Sequence, residues 1–205
     1  MMISCRSTRI VEEAKIKQPN ILLLLSDDQS FNTINALGNK EVSTPNMDRL
    51  VSEGTTFTHA HIMGGNTGAI CMPSRAMMMT GKNVQKFNNQ GALTSEDETM
   101  PQLLKEAGYA TFGTGKWHNN RDSYARSFTH GSNIFLGGMS NHLKVPLHDF
   151  DPSGEYLKRN RRFEDKFSSV LFREATVDFL QNYNGDKPFF AFVSFTSPHD
   201  PRMAP

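Results

Sequence analysis

Cysteine is scarce in this chain of 205 residues: there are two, Cys5 and Cys71. Cys5 falls in a polar leader, so a disulfide framework is implausible as the basis of the fold, and the compartment stays open on that count. An excess of charge of either sign is missing as well, with Lys plus Arg at 22 and Asp plus Glu at 21. No global field draws such a chain to nucleic acid or to an acidic membrane surface, so any affinity for anions has to be local. The basic run KRNRR, Lys158 to Arg162, reads as a solvated face ahead of a helix. Long apolar runs are lacking too. The densest, ILLLL, is far short of the ~20 residues that cross a bilayer, and residues 1–18 hold no apolar stretch of signal-peptide type. No Asn-x-Ser/Thr sequon occurs to suggest a glycosylated, secreted product. The location stays unknown from these absences: periplasmic or secreted if the true N-terminus is missing, otherwise cytoplasmic.

What is present reads as one α/β domain, long enough to bury a real core. A polar, disordered leader is expected over residues 1–18. NILLLLSDDQ is a continuous apolar run that breaks into two acids, as a central parallel strand covered on both faces would. STPNMDRLVSEG carries a cap, an early proline and a glycine stop, and predicts a short helix. TTFTHAHI alternates and predicts a strand. SRAMMMTG predicts a helix ending at Gly81, with Cys71 just before its start. ETMPQLLKEAG predicts another helix, closed by Gly108, and YATFGTGKWH a strand running into a loop. Residues 120–160 are rich in Gly, Asn, Ser, Pro and His without clear periodicity and read as a long surface insertion that could carry specificity. FEDKFSSVLFREATVDFLQNY has helical spacing over Phe163 to Tyr183, and FFAFVSFTSPHDP is a further buried strand ending in a polar loop. The fold class is an open, mostly parallel sheet with helices on both faces. Ligands of such sheets bind beyond the carboxyl ends of the strands, where SDDQ, GKWH and SPHDP all fall.

Those three endings carry distinct chemistry. Asp27 and Asp28, with Gln29, are oxygen donors suited to a hard cation such as Ca²⁺ or Mg²⁺, though adjacent acids also serve as plain turn formers. Lys116 and His118 combine a fixed charge with a titratable ring. His199 stands between two prolines that stiffen its backbone. GTGKW is not a nucleotide loop, because Ala110 and Trp117 stand where that motif needs Gly and Ser or Thr. His59 and His61 would share one face of a strand but lack a third zinc ligand nearby. Met77 to Met79 are simplest as helix packing. Cys71, with Arg75 one turn on, would suit a nucleophilic thiolate, yet a soft sulfur matches a hard-cation carboxylate pair poorly.

The motifs together resemble a known family. CMPSRAMMMTG looks like the first signature of the type I sulfatases, whose cysteine in a Cys-x-Pro-Ser-Arg core is oxidised to Cα-formylglycine. GYATFGTGKWH is similar to the second signature, and PNILLLLSDDQ to the opening strand with its metal-binding aspartates. The resemblance covers Pro19 to the C-terminus, with Met72 standing where a small residue is usual and Thr114 where Ile, Val, Ala or Ser is.

It implies an alkaline phosphatase/sulfatase-like fold, with residues 19–205 forming the N-terminal part of a catalytic domain. The implied reaction is sulfate-ester hydrolysis, on a sulfated carbohydrate or a small sulfated molecule. Cys71, as formylglycine, would be hydrated to a geminal diol that attacks sulfur, and His118 would deprotonate the second hydroxyl so that sulfate is expelled. Asp27, Asp28 and residue 71 would bind Ca²⁺, with Mg²⁺ the alternative. Arg75 would steady the formylglycine, Lys116 would bind sulfate oxygens, and His199 would bind sulfate or protonate the leaving oxygen. A formylglycine-generating, sulfatase-maturating enzyme is an implied partner; nucleic acid and a membrane span are not. The family's remaining metal ligands come from a later segment, so the chain is expected to be an incomplete sulfatase, weakly active or inactive alone. Other readings are a formylglycine-dependent phosphonate monoester or phosphodiester hydrolase, and an inactive glycan-binding fragment.

Overall fold

The computed structural model describes residues 17–65, 70–87 and 91–205, so the expected leader and Cys5 lie almost wholly outside the described residues. The apolar run at its start becomes β1 (Ile21–Asp27), followed by α1 (Pro45–Glu53), α2 (Cys71–Thr80) and α3 (Met100–Glu106). Then come β2 (Ala110–Lys116), α4 (Arg121–Ser127), β3 (His130–Phe135), α5 (Ser168–Asn182) and β4 (Phe189–Pro198). The four strands make one sheet in the order β1-β4-β2-β3, with every pairing parallel. No helix of the described residues is long and apolar enough to cross a membrane.

Helices cover both faces of the inner strands, and β4 accordingly reads as a largely apolar run. Phe190 and Phe192 align across the ladder with Ile21 and Leu23. They pack with Ala76 and Met79 of α2, Tyr124 of α4 and Trp117 in one cluster. Burial of a phenylalanine such as Phe190 or Phe192 stabilises the fold by roughly 1.5–3 kcal/mol. The opposite face takes α5, whose Ala175 meets Phe112 and Ala191, while its Leu171 and Phe172 meet Phe135. α5 stops short of β1, whose Leu22 and Leu24 remain half exposed on that side.

Several expectations need correction. Residues 55–63 form no strand; Phe57 and Ile62 are largely exposed, so the alternation of TTFTHAHI never found a partner. Residues 120–160 are not a surface insertion, since they contribute α4 and β3, and Tyr124, Phe128 and Tyr156 sit in the main core. α5 begins at Ser168, leaving Phe163 exposed. Within the basic run, Lys158–Asn160 make a single 3-10 turn, while Arg162 is half-buried and tied to Asp149 and Glu164. α2 starts at Cys71 itself rather than just after it.

Candidate functional site at the carboxyl ends of the strands

Three strands deliver their first titratable residues to one end of the sheet. β1 ends on Asp27, β2 on Lys116, and β4 runs into His199. The register enforces the meeting, since Asp27 aligns with Pro198 and Gly115 with Ser194. Gly115 has φ +86, and an added Cβ would lie 1.8 Å from the Ser194 carbonyl oxygen, so only glycine lets β2 lie this close to β4 just before Lys116. α2 supplies the fourth side. Its first residue is Cys71, and Arg75 follows one turn later on the same face.

Asp27 is the electrostatic centre. Lys116, wholly buried, donates from Nζ to Asp27 Oδ2 at 2.5 Å, and Arg75 donates from Nη2 to Oδ1 at 3.3 Å. Arg75 Nη1 also donates to the Lys116 carbonyl at 2.7 Å and to Ser194 Oγ at 2.6 Å, so the guanidinium ties α2 to β2 and β4. Burial pulls the Arg75 pKa down, and Asp27 works against that. Two buried cations thus face one buried carboxylate, with Asp28 as the second acid. Its side chain is 57% exposed, on the rim, and its φ of 60 places it in the left-handed region.

His199 lies on the same rim. Its Nδ1–H donates to the Asp200 carbonyl at 2.7 Å, which leaves Nε2 facing Asp28 Oδ2 at 3.5 Å. One ligand atom each from Asp27, Cys71 and His199 falls within 4.8 Å of the others. Gln29 turns away, its side-chain nitrogen donating to Thr33 and Met47. His118 has φ 52, and its buried Nδ1 has no hydrogen-bond partner among the described residues. Burial, then the charges of Lys116 and Arg75, lowers its pKa to about 4. It is therefore a neutral imidazole at ordinary pH, able to accept a proton. His59 and His61 are exposed in coil.

Asp27, Asp28, Cys71 and Arg75 share a cleft of about 260 Å³ with Ile62. Residues named from the sequence thus converge, Asp27, Cys71, Arg75, Lys116 and His199 directly and Asp28 through His199. Ser194 and His142 were missed. Ser194 lies inside an apolar strand with no motif around it, and His142 is polar chain far from every signature.

The family model described as Sulfatase matches residues 19–205. This chain belongs to the sulfatase family.

Within that family, of the alkaline phosphatase superfamily, the sulfatase chain is 28% identical to an N-acetylglucosamine-6-O-sulfatase of Bacteroides thetaiotaomicron. The match covers 96% of this chain and 34% of that protein. It is 26% identical to the human N-acetylgalactosamine-6-sulfatase, over 91% of this chain and 40% of that one. The fold matches a structure solved in complex with its substrate D-glucosamine-2-N,6-O-disulfate. There the TM-score is 0.76 at 27% identity, over 91% of this chain and 36% of the other. The sulfatase chain therefore spans less than half the length of these relatives.

The donors fit a hard divalent cation in part. Asp27 and Asp28 offer carboxylate oxygens, whereas a thiolate at position 71 would be a soft ligand beside them. An oxygen-bearing side chain at that position removes the mismatch.

Proposed function

We propose that the complete protein hydrolyses sulfate esters of carbohydrates, with residue 71 supplying the nucleophile after oxidation to formylglycine by a maturating enzyme. The observation that carries this reading is the meeting of Cys71 with Asp27 and His199 beside two buried cations. The sugar sulfatases among its relatives support the substrate class.

A formylglycine at position 71 would supply a hydrated aldehyde as nucleophile toward sulfur, and a second hydroxyl through which sulfate is released once the alcohol has left. A divalent cation, Ca²⁺ or Mg²⁺, held by Asp27, Asp28 and residue 71 would supply Lewis-acid polarisation. The chain's own residues do the remainder. Arg75 and Lys116 are fixed before substrate arrives, so their charges stabilise sulfate oxygens without reorganising. Their charges are balanced by Asp27 and Asp28, so a dication would leave the site positive and draw in an anionic ester. His118, neutral above about pH 4, takes the proton of the second hydroxyl. His199 presents Nε2 at the rim, and as an imidazolium, with both ring nitrogens protonated, it would hold sulfate or pass the Nε2 proton to the departing alcohol and become neutral.

The test is turnover by the complete protein, matured in a competent host, of a 6-O-sulfated hexosamine and an aryl sulfate against an aryl phosphodiester. Sulfate release is expected to dominate. Dominant diester cleavage would replace this reading with a phosphodiesterase, and binding of the sulfated sugar without turnover would leave a glycan-binding protein.

A further inference from the structure

The segment of residues 120–160 reaches the site through His142. This ring is 2% exposed and stacked on Phe167, with centroids 5.1 Å apart. Its Nε2 lies 3.0 Å from the carbonyl oxygen of His199. A carbonyl can only accept, so Nε2 carries the proton and donates. Nδ1 is flanked by Ser168 Oγ at 2.9 Å and Thr196 Oγ1 at 3.1 Å, and Thr196 Oγ1 donates to Ser168 Oγ at 2.8 Å. The arrangement that uses each proton once runs from Thr196 to Ser168, from Ser168 to His142 Nδ1, and from His142 Nε2 to the His199 carbonyl. The backbone of His142 is pinned as well, its carbonyl accepting from the Ser168 N–H at 2.8 Å.

We propose that His142 is a positioning residue for His199, gripping its carbonyl and so fixing where that imidazole stands beside Asp28, Asp27 and Cys71. On its N-terminal side His199 is held by Pro198 in register with Asp27, and its ring meets Asp28 at 3.5 Å and the adjacent Asp200 carbonyl. On its C-terminal side Asp200, Pro201 and Arg202 are exposed and hold nothing in place. The hydrogen bond from His142 bridges 57 positions of sequence and ties that loop to the body of the fold. The catalytic meaning of this placement rests on the role proposed above for His199; the placement itself does not.

The test compares His142→Phe, His142→Asn and His142→Gln in the complete protein. Phe keeps a ring against Phe167 but donates nothing, Asn stays polar but falls short of the carbonyl, and Gln reaches it with a donor. Histidine side-chain NMR at one fixed pH reads His199 without turnover. The His199 resonances should shift in the Phe and Asn variants and return in the Gln variant, with those of exposed His59 and His61 unmoved. On a sulfate ester, kcat should fall about 10–100-fold in the first two, recover in the third, and fall no further when His199 is already Ala. Should the Phe variant fail to fold, the Asn and Gln pair makes the same comparison. Unmoved His199 resonances, or an equal loss in the His199→Ala background, would overturn the proposal. Resonances that move and return in a protein that cleaves no sulfate ester would sustain it and sink the reaction above.

Discussion

Lys116 Nζ stands 2.5 Å from Asp27 Oδ2, with the ammonium wholly buried and the same carboxylate bonded to Arg75. Removing the acid strands two buried cations, whereas removing the lysine leaves Asp27 still paired. Breaking a buried pair costs roughly 3–5 kcal/mol. Asp27→Ala is therefore expected to destabilise more than Lys116→Met, which denaturant unfolding of the two variants would rank. The reverse order would show that Asp27 is not the centre of the cluster.

His118 gives a pH prediction. Its folded pKa of about 4 lies below its ordinary value of 6.5, because burial first and then Lys116 and Arg75 disfavour the charged ring. The unfolded chain binds this proton more readily. The contribution to stability is thus complete above the unfolded value and is lost as pH falls through about 4. NMR titration should find His118 neutral at pH 6, and Lys116→Met should raise its pKa without restoring the ordinary value, since burial remains.

Two glycines should behave differently. A Cβ at Gly115 would strike the backbone carbonyl of Ser194 at a positive φ, so Gly115→Ala should unfold the β2–β4 junction or cost several kcal/mol. A Cβ at Gly138 would come within 2.5 Å of His118 Nε2, the end of a movable side chain. Gly138→Ala should leave the melting temperature nearly unchanged while shifting the His118 resonances and lowering kcat. Equal losses of stability in the two would contradict this.

Much of the site was legible because β1 and β4 read as apolar runs and the titratable residues that follow them stand out, although β1 is an edge strand with Leu22 and Leu24 half exposed rather than the central, doubly covered strand its sequence predicts. Asp27, Lys116 and His199 were placed together on that ground alone, before any family resemblance. What was not legible depended on distant partners. TTFTHAHI has the period of a strand, but no neighbouring strand pairs with it and Phe57 stays in water. RDSYARS and HGSNIF carry too many polar and small residues to read as α4 and β3, yet the edge-to-face packing of Tyr124, and of Phe128 just after it, against Trp117 draws the first into the core. His142 and Ser194 act through hydrogen bonds to groups 57 and 119 positions away, which no local pattern encodes.

The chemistry of residue 71 can be read by mass spectrometry of the peptide that ends at Arg75, from complete protein made alongside a maturating enzyme. An aldehyde at position 71, captured by a hydrazide probe and lost in Cys71→Ala, is the expected result. A free thiol in every molecule, in protein that nonetheless releases sulfate from its ester, would contradict the reading of this site.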